Sequence, residues 1–199
     1  NATFDAGLEI SGHPAHATGE FTIPAGNGPV KGSVALRGLD LRALGSNAKS
    51  FSGVKDVPLI LDMSASFAFH GVHLLNADFG VGAKGAIAIP GLAHGPLKID
   101  NAQIVGRYDS ATRRILIDDA TLSAQGATAH LTARGDLVYD QSKALSQVNF
   151  ETTLDKIAFS MPGVLPVPVS LRIAAIRGSY LPATKDIVLD HIEVTGAPL

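Results

Sequence analysis

Gly106-Arg107-Tyr108-Asp109-Ser110-Ala111-Thr112-Arg113-Arg114-Ile115-Leu116-Ile117-Asp118 returns further along the chain as Gly178-Ser179-Tyr180-Leu181-Pro182-Ala183-Thr184-Lys185-Asp186-Ile187-Val188-Leu189-Asp190. Across 106–124 and 178–196, six of 19 aligned positions are identical, where average composition gives about one by chance. A looser copy reads Gly135-Asp136-Leu137-Val138-Tyr139-Asp140-Gln141-Ser142-Lys143-Ala144-Leu145. In the two close copies a Gly-x-Tyr strand end runs into a polar turn, a basic residue follows, and a strand rich in β-branched residues begins. Strands joined by turns this short must be antiparallel. The repeat therefore predicts an all-β chain, a long antiparallel meander of repeated hairpins. A chain that iterates one hairpin builds a surface rather than a single catalytic centre.

The pattern extends outward from the repeat. Phe4, Ala6, Leu8 and Ile10 alternate with Thr3, Asp5, Gly7 and Glu9, the period of a half-buried strand. Further strands are expected near 18–24 and 31–38, separated by the Gly26-Asn27-Gly28-Pro29 turn. Residues 57–75 read as a strand with a bend at Gly71, and 77–89, with Gly80, Gly82 and Gly85, as two short strands or a bulged one. Ala129, Leu131 and Ala133 share a face, as do Val148, Phe150, Thr152 and Leu154, and Val169, Leu171, Ile173 and Ala175. Pro90-Gly91, Gly95-Pro96 and the proline-rich 162–168 mark connections. Little helix is expected; Asp40-Leu41-Arg42-Ala43-Leu44 is the one short candidate, ended by Gly45. The meander has one apolar and one polar face, and the apolar face must be hidden by rolling into a groove, packing on a second sheet, or holding an apolar ligand.

Composition narrows the function classes. Of 199 residues, 46% are hydrophobic but only 6% aromatic, so aliphatic side chains carry the apolar content. Net charge is −2 with no basic block, which removes the electrostatic basis for nucleic-acid binding. There are no cysteines, hence neither disulfides nor thiolate chemistry. No apolar run reaches the 18 residues of a spanning helix. The chain starts in mid-pattern at Thr3-Phe4-Asp5-Ala6 and stops after Pro198-Leu199, which predicts a segment of a longer protein: one all-β unit over 1–199, with a possible subdivision into 1–95 and 96–199.

Candidate chemistry is sparse. His13/His16 and His70/His73 have the spacing of two ligands on a helix, but Pro14 opposes a helix, and on a strand such residues face opposite ways. Surface histidines are the simpler reading, and no metal site is assigned; His94, His130 and His191 stand alone in the sequence. Asp118 and Asp119, as strand neighbours, cannot share a proton, and the repeat aligns Asp190 with Asp118, which points to a structural position. There is no Gly-x-Ser-x-Gly elbow. Gly80-Val81-Gly82-Ala83-Lys84-Gly85 runs into strand-like Ile87-Ala88-Ile89 rather than a helix, so it is no phosphate loop. No catalytic residue and no cofactor is assigned. Tyr108, Tyr139 and Tyr180 occupy equivalent strand ends and are expected to close their hairpins.

The strings Gly85-Ala86-Ile87-Ala88-Ile89-Pro90-Gly91-Leu92, Gly95-Pro96-Leu97-Lys98-Ile99, Gly106-Arg107-Tyr108-Asp109, Arg114-Ile115-Leu116-Ile117-Asp118 and Gly126-Ala127-Thr128-Ala129-His130-Leu131-Thr132-Ala133-Arg134-Gly135 resemble the AsmA-like superfamily, in the branch with YhdP and TamB. Gly38-Leu39-Asp40-Leu41-Arg42-Ala43-Leu44 is similar to a segment found there too. The resemblance is strongest over 85–199. It implies a periplasmic protein anchored in the inner membrane of a diderm bacterium through an N-terminal helix absent from this segment. It also implies long curved sheets whose hydrophobic groove carries phospholipid between membranes, and no catalytic residues. The expected function is thus a non-enzymatic lipid-binding and transport module serving outer-membrane biogenesis, its partner a phospholipid or other acyl lipid. The groove residues are expected to include Ala129, Leu131, Ala133, Val148, Phe150, Leu171 and Ile173. The alternative is a spacer or adhesin-like β-module with a sealed core.

Overall fold

Period-two patterning of small aliphatic and polar residues gives strand after strand. The computed structural model describes residues 1–43, 57–87, 96–159 and 169–196. They form β1 (Ala2–Ile10), β2 (His13–Thr22), β3 (Val30–Asp40), β4 (Leu59–His70), β5 (His73–Ile87), β6 (Leu97–Asp109), β7 (Arg114–Ala124), β8 (Ala127–Tyr139), β9 (Leu145–Phe159), β10 (Val169–Leu181) and β11 (Asp186–Gly196). Strand order follows chain order from β1 to β11. The fold is all-β, an antiparallel meander that is not closed into a barrel. The chain divides into two compact units, 1–103 and 104–199.

Hairpin turns explain the order. Ser11-Gly12 and Gln125-Gly126 both carry positive φ at the two central positions (50° and 78°, 44° and 82°), the turn whose twist matches that of the flanking strands. Gly71 is not a bend within a strand. At φ 60° it opens a two-residue turn, so 57–75 is the hairpin of β4 and β5 with His70 opposite His73. The glycines of 77–89 do not split their segment: 73–87 is one strand. Among the described residues the expected helix is present over 41–43, and the Asp40 carboxylate accepts the Arg42 backbone N–H at 2.9 Å, as an N-cap does. Leu44 and Gly45, and the connections at 90–95 and 162–168, lie outside the described residues.

In the first unit the register aligns Phe4 with Gly19, Ala6 with Ala17, Ala17 with Leu36, Val34 with Ala65 and Ala65 with Phe79, so one face is apolar across five strands. Phe4, Phe21 and Phe67 form a row on it, with centroids 6.2 and 6.0 Å apart. Gly19 lies under the Phe4 ring and Gly32 between Phe21 and Phe67, so glycine makes room for each ring. Little of this face is sealed. Among the described residues of both units, the buried apolar side chains are Leu39, Ala43, Leu59, Ala68, Ile99, Ala120 and Ala124, while Phe4 stays 42% exposed.

Candidate functional site

The second unit carries the expected groove residues. Ala129 stands opposite Leu122 and Ile157, Leu131 opposite Ala120 and Leu154, and Ala133 opposite Ile117 and Thr152. Val148 stands opposite Leu137 and Tyr180, and Phe150 opposite Gly135 and Gly178. These five expected residues therefore share one face, and the five are half-buried rather than sealed. Leu171 pairs with Ile157 and Ile173 with Thr195 in the backbone register, but their side chains lie outside the described residues. The register shifts between those two positions, so Ala174 and not Ala175 falls in line with Leu154 and Val194. Simple alternation assigned Ala175 to the wrong face because a bulge resets the period. On β11 the face continues as Ile187, Leu189, Ile192 and Val194, all exposed, between 51% and 66%.

The opposite face is a ladder of charge. Arg107 meets Asp118 at 3.3 Å, Arg114 and Arg134 converge on Asp136 at 2.7 and 2.8 Å, and Arg177 reaches Glu151 at 2.8 Å. The two guanidinium groups hold the Asp136 carboxyl below its ordinary value, Arg114 foremost. Exposed pairs of this kind contribute about 0–1 kcal/mol each. Their larger effect is on register, since a one-residue slip would turn the whole set onto the apolar face.

His130 is not isolated. Its Nε2 is 2.7 Å from Asp119, and its Nδ1 bonds Asp155 on the other side. Both carboxylates arise at bulges: Asp118-Asp119 faces one residue of β8, and the β8–β9 register shifts beside Asp155. The Asp118-Asp119 bulge sends both side chains to polar-face partners, Arg107 and His130, instead of to opposite faces. Asp155, then Asp119, raises the imidazole pKa above its ordinary value. With a carboxylate on each ring nitrogen, the imidazolium donates twice and keeps no lone pair for a proton or a metal. This arrangement ties three strands together. The sequence signal for it was the acidic doublet inside a strand.

His70 and His73 also depart from the strand rule. They close a two-residue hairpin and stand side by side in its register, and His70 Nε2 lies 3.1 Å from the Asn27 carbonyl. His13 and His16, both on β2, do face opposite ways: His13 meets the buried Asp40 at 3.2 Å and His16 meets Asp5 at 2.7 Å. Among the described residues no group of three His, Cys, Asp or Glu side chains could hold a metal ion. No described helix is long and apolar enough to cross a membrane.

No family model, no curated protein and no solved structure matches this chain. What the arrangement offers is an aliphatic face of small side chains, with three tyrosines at one rim and a ladder of ion pairs on the reverse side.

Proposed function

We propose that this protein is a non-enzymatic lipid-binding and transport module whose apolar sheet face holds acyl chains. The carrying observation is that the face through Ala129, Leu131, Ala133, Val148 and Phe150 is half-exposed and extends onto four exposed aliphatic residues of β11. Water against such a surface is costly, and each acyl CH₂ that replaces it gains about 0.8 kcal/mol. Alanine and glycine among the larger residues keep the surface smooth, which suits sliding contact more than selection of one chain. The resemblance of 85–199 to AsmA-like proteins supports the same reading. What that resemblance implies, and what we propose with it, is a periplasmic location in a diderm bacterium within a longer protein anchored in the inner membrane.

The test is native mass spectrometry of the purified protein together with titration of a fluorescent fatty acid. Co-purified lipid and saturable probe binding, weakened several-fold by Leu131→Asp, are expected. A lipid-free protein that binds no probe would end this reading and leave the spacer or adhesin-like module in its place.

A further inference from the structure

Three hairpin turns of the second unit share a feature that folding does not call for. Strands β6, β8 and β10 run in the same direction, so the turns after them stand at one rim of the sheet. Each turn holds a long basic residue in left-handed backbone: Arg113 (φ 53°), Lys143 (φ 65°) and Lys185 (φ 61°). Glycine or asparagine takes that conformation readily, whereas other L-residues pay roughly 1 kcal/mol for it. A long cation nevertheless stands there three times.

These cations have no carboxylate partner among the described residues, although each turn contains an aspartate nearby. The Asp109 carboxylate accepts the Ala111 backbone N–H. That of Asp140 accepts the backbone N–H groups of Ser142 and Ala144 and the Ser142 hydroxyl. Two of the three acids are thereby engaged within their own turns. Just inside the rim a tyrosine stands at the last or next-to-last position of each strand. Tyr180 stands in register with Val148 and Ile187, and Tyr139 with Leu145. Tyr108 bonds Tyr139, and the Arg113 guanidinium lies 5.4 Å from the Tyr139 ring centre. From the rim inward the order is cation, phenol, aliphatic face. That order matches a phospholipid from phosphate through glycerol to acyl chain, and tyrosine and lysine favour the same boundary at membrane surfaces.

We infer that the rim formed by Arg113, Lys143 and Lys185 with Tyr108, Tyr139 and Tyr180 binds the phosphodiester headgroups of lipids whose tails lie on the apolar face. The site repeats with the hairpin, about 10 Å apart, which is two strand spacings. It rests on the proposed acyl-binding face and adds to it the residues that hold the lipid head and the rim at which that head sits.

The experiment compares tail-labelled phosphatidylglycerol with tail-labelled diacylglycerol, which has the same chains and no phosphate. The proteins are the wild type and the variant Arg113→Asn/Lys143→Asn/Lys185→Asn. Asparagine suits the left-handed positions, so the variant folds at least as well, which a thermal melt verifies. Wild type is expected to favour phosphatidylglycerol about tenfold, the scale of one hydrogen bond to a charged group. The variant is expected to lose that preference with diacylglycerol binding unchanged. Equal wild-type affinities, or a preference that survives in the variant, would overturn the headgroup site while the acyl face stands. Wild-type binding of glycerol 3-phosphate as tight as that of the lipid would overturn it in favour of a soluble phosphate. Binding of neither lipid would overturn both readings.

Discussion

The ring of Phe150 lies across Gly178, the residue that opens the second copy of the repeat: its Cζ is 2.9 Å from where a Cβ on that glycine would stand. The same Cβ would run into the Val188 carbonyl and come within 3.3 Å of the Leu189 Cα. Two of these three obstacles are backbone. Gly178→Ala is expected to cost about 1–3 kcal/mol, the range for overpacking. Gly135→Ala, where the nearest atom is Val148 Cγ1 at 3.5 Å, is expected to be neutral or slightly stabilising. Urea melts of the two variants check the pair; equal losses would mean that the close approach at Gly178 does not decide its identity.

His130 should titrate above 6.5, because Asp155 and Asp119 favour its charged form. Its stabilising contribution is then whole below the unfolded-state value of about 6.5 and lost as pH rises through the folded value. NMR of the imidazole against pH should give the raised value in the wild type and a fall toward the ordinary one in Asp155→Asn, with a smaller fall in Asp119→Asn. An imidazole that titrates at 6.5 or lower would remove the cross-link.

Asp40 is 3% exposed, caps the turn at 41–43 and holds Arg42 through a 2.6 Å ion pair. Arg42 keeps its carboxyl below 3.8. Its contribution is present above that value and disappears as pH falls through the lower, folded one. Asp40→Ala is expected to cost about 1–2 kcal/mol through the lost cap. Because the pH-linked part goes with the carboxyl, the difference from wild type should shrink in acid, which denaturation at pH 7 and pH 3 would reveal. A difference independent of pH would assign the effect to packing alone.

Lys185→Asn is expected to leave stability unchanged or raise it by up to about 1 kcal/mol, because asparagine suits a φ of 61°. A thermal melt decides it. A clear loss would show that lysine serves the fold at that turn, and would remove the backbone argument for a binding role.

The hairpins were legible because their signals are local. Repetition of Gly-x-Tyr, a polar turn and a β-branched run specifies an antiparallel ribbon without reference to the rest of the chain. That Ala129, Leu131 and Ala133 share a face with Val148 and Phe150 was legible for the same reason, since the extra residues at the two bulges facing 130–132 lie on β7 and at Asp155, outside those stretches. Legibility failed where the register slips. Ala175 landed on the wrong face, Asp118 and Asp119 were set apart, and His130 looked solitary. In each case one extra residue shifts the period, and nothing in the residue types announces which residue is extra. Gly71 was misjudged because a single glycine is compatible with both a bend and a two-residue turn; the cross-strand pairing of His70 with His73 is what distinguishes them.

The amino-acid order alone determined the class of fold, the direction of successive strands and the division into a greasy and a charged face. All three follow from side-chain period and turn chemistry within a dozen residues. Tertiary structure alone decided which carboxylates meet His130 and which glycines lie under phenyl rings. Those facts depend on strand register, which is a relation between segments set by hydrogen bonds and packing across the sheet, and no single stretch of chain contains it.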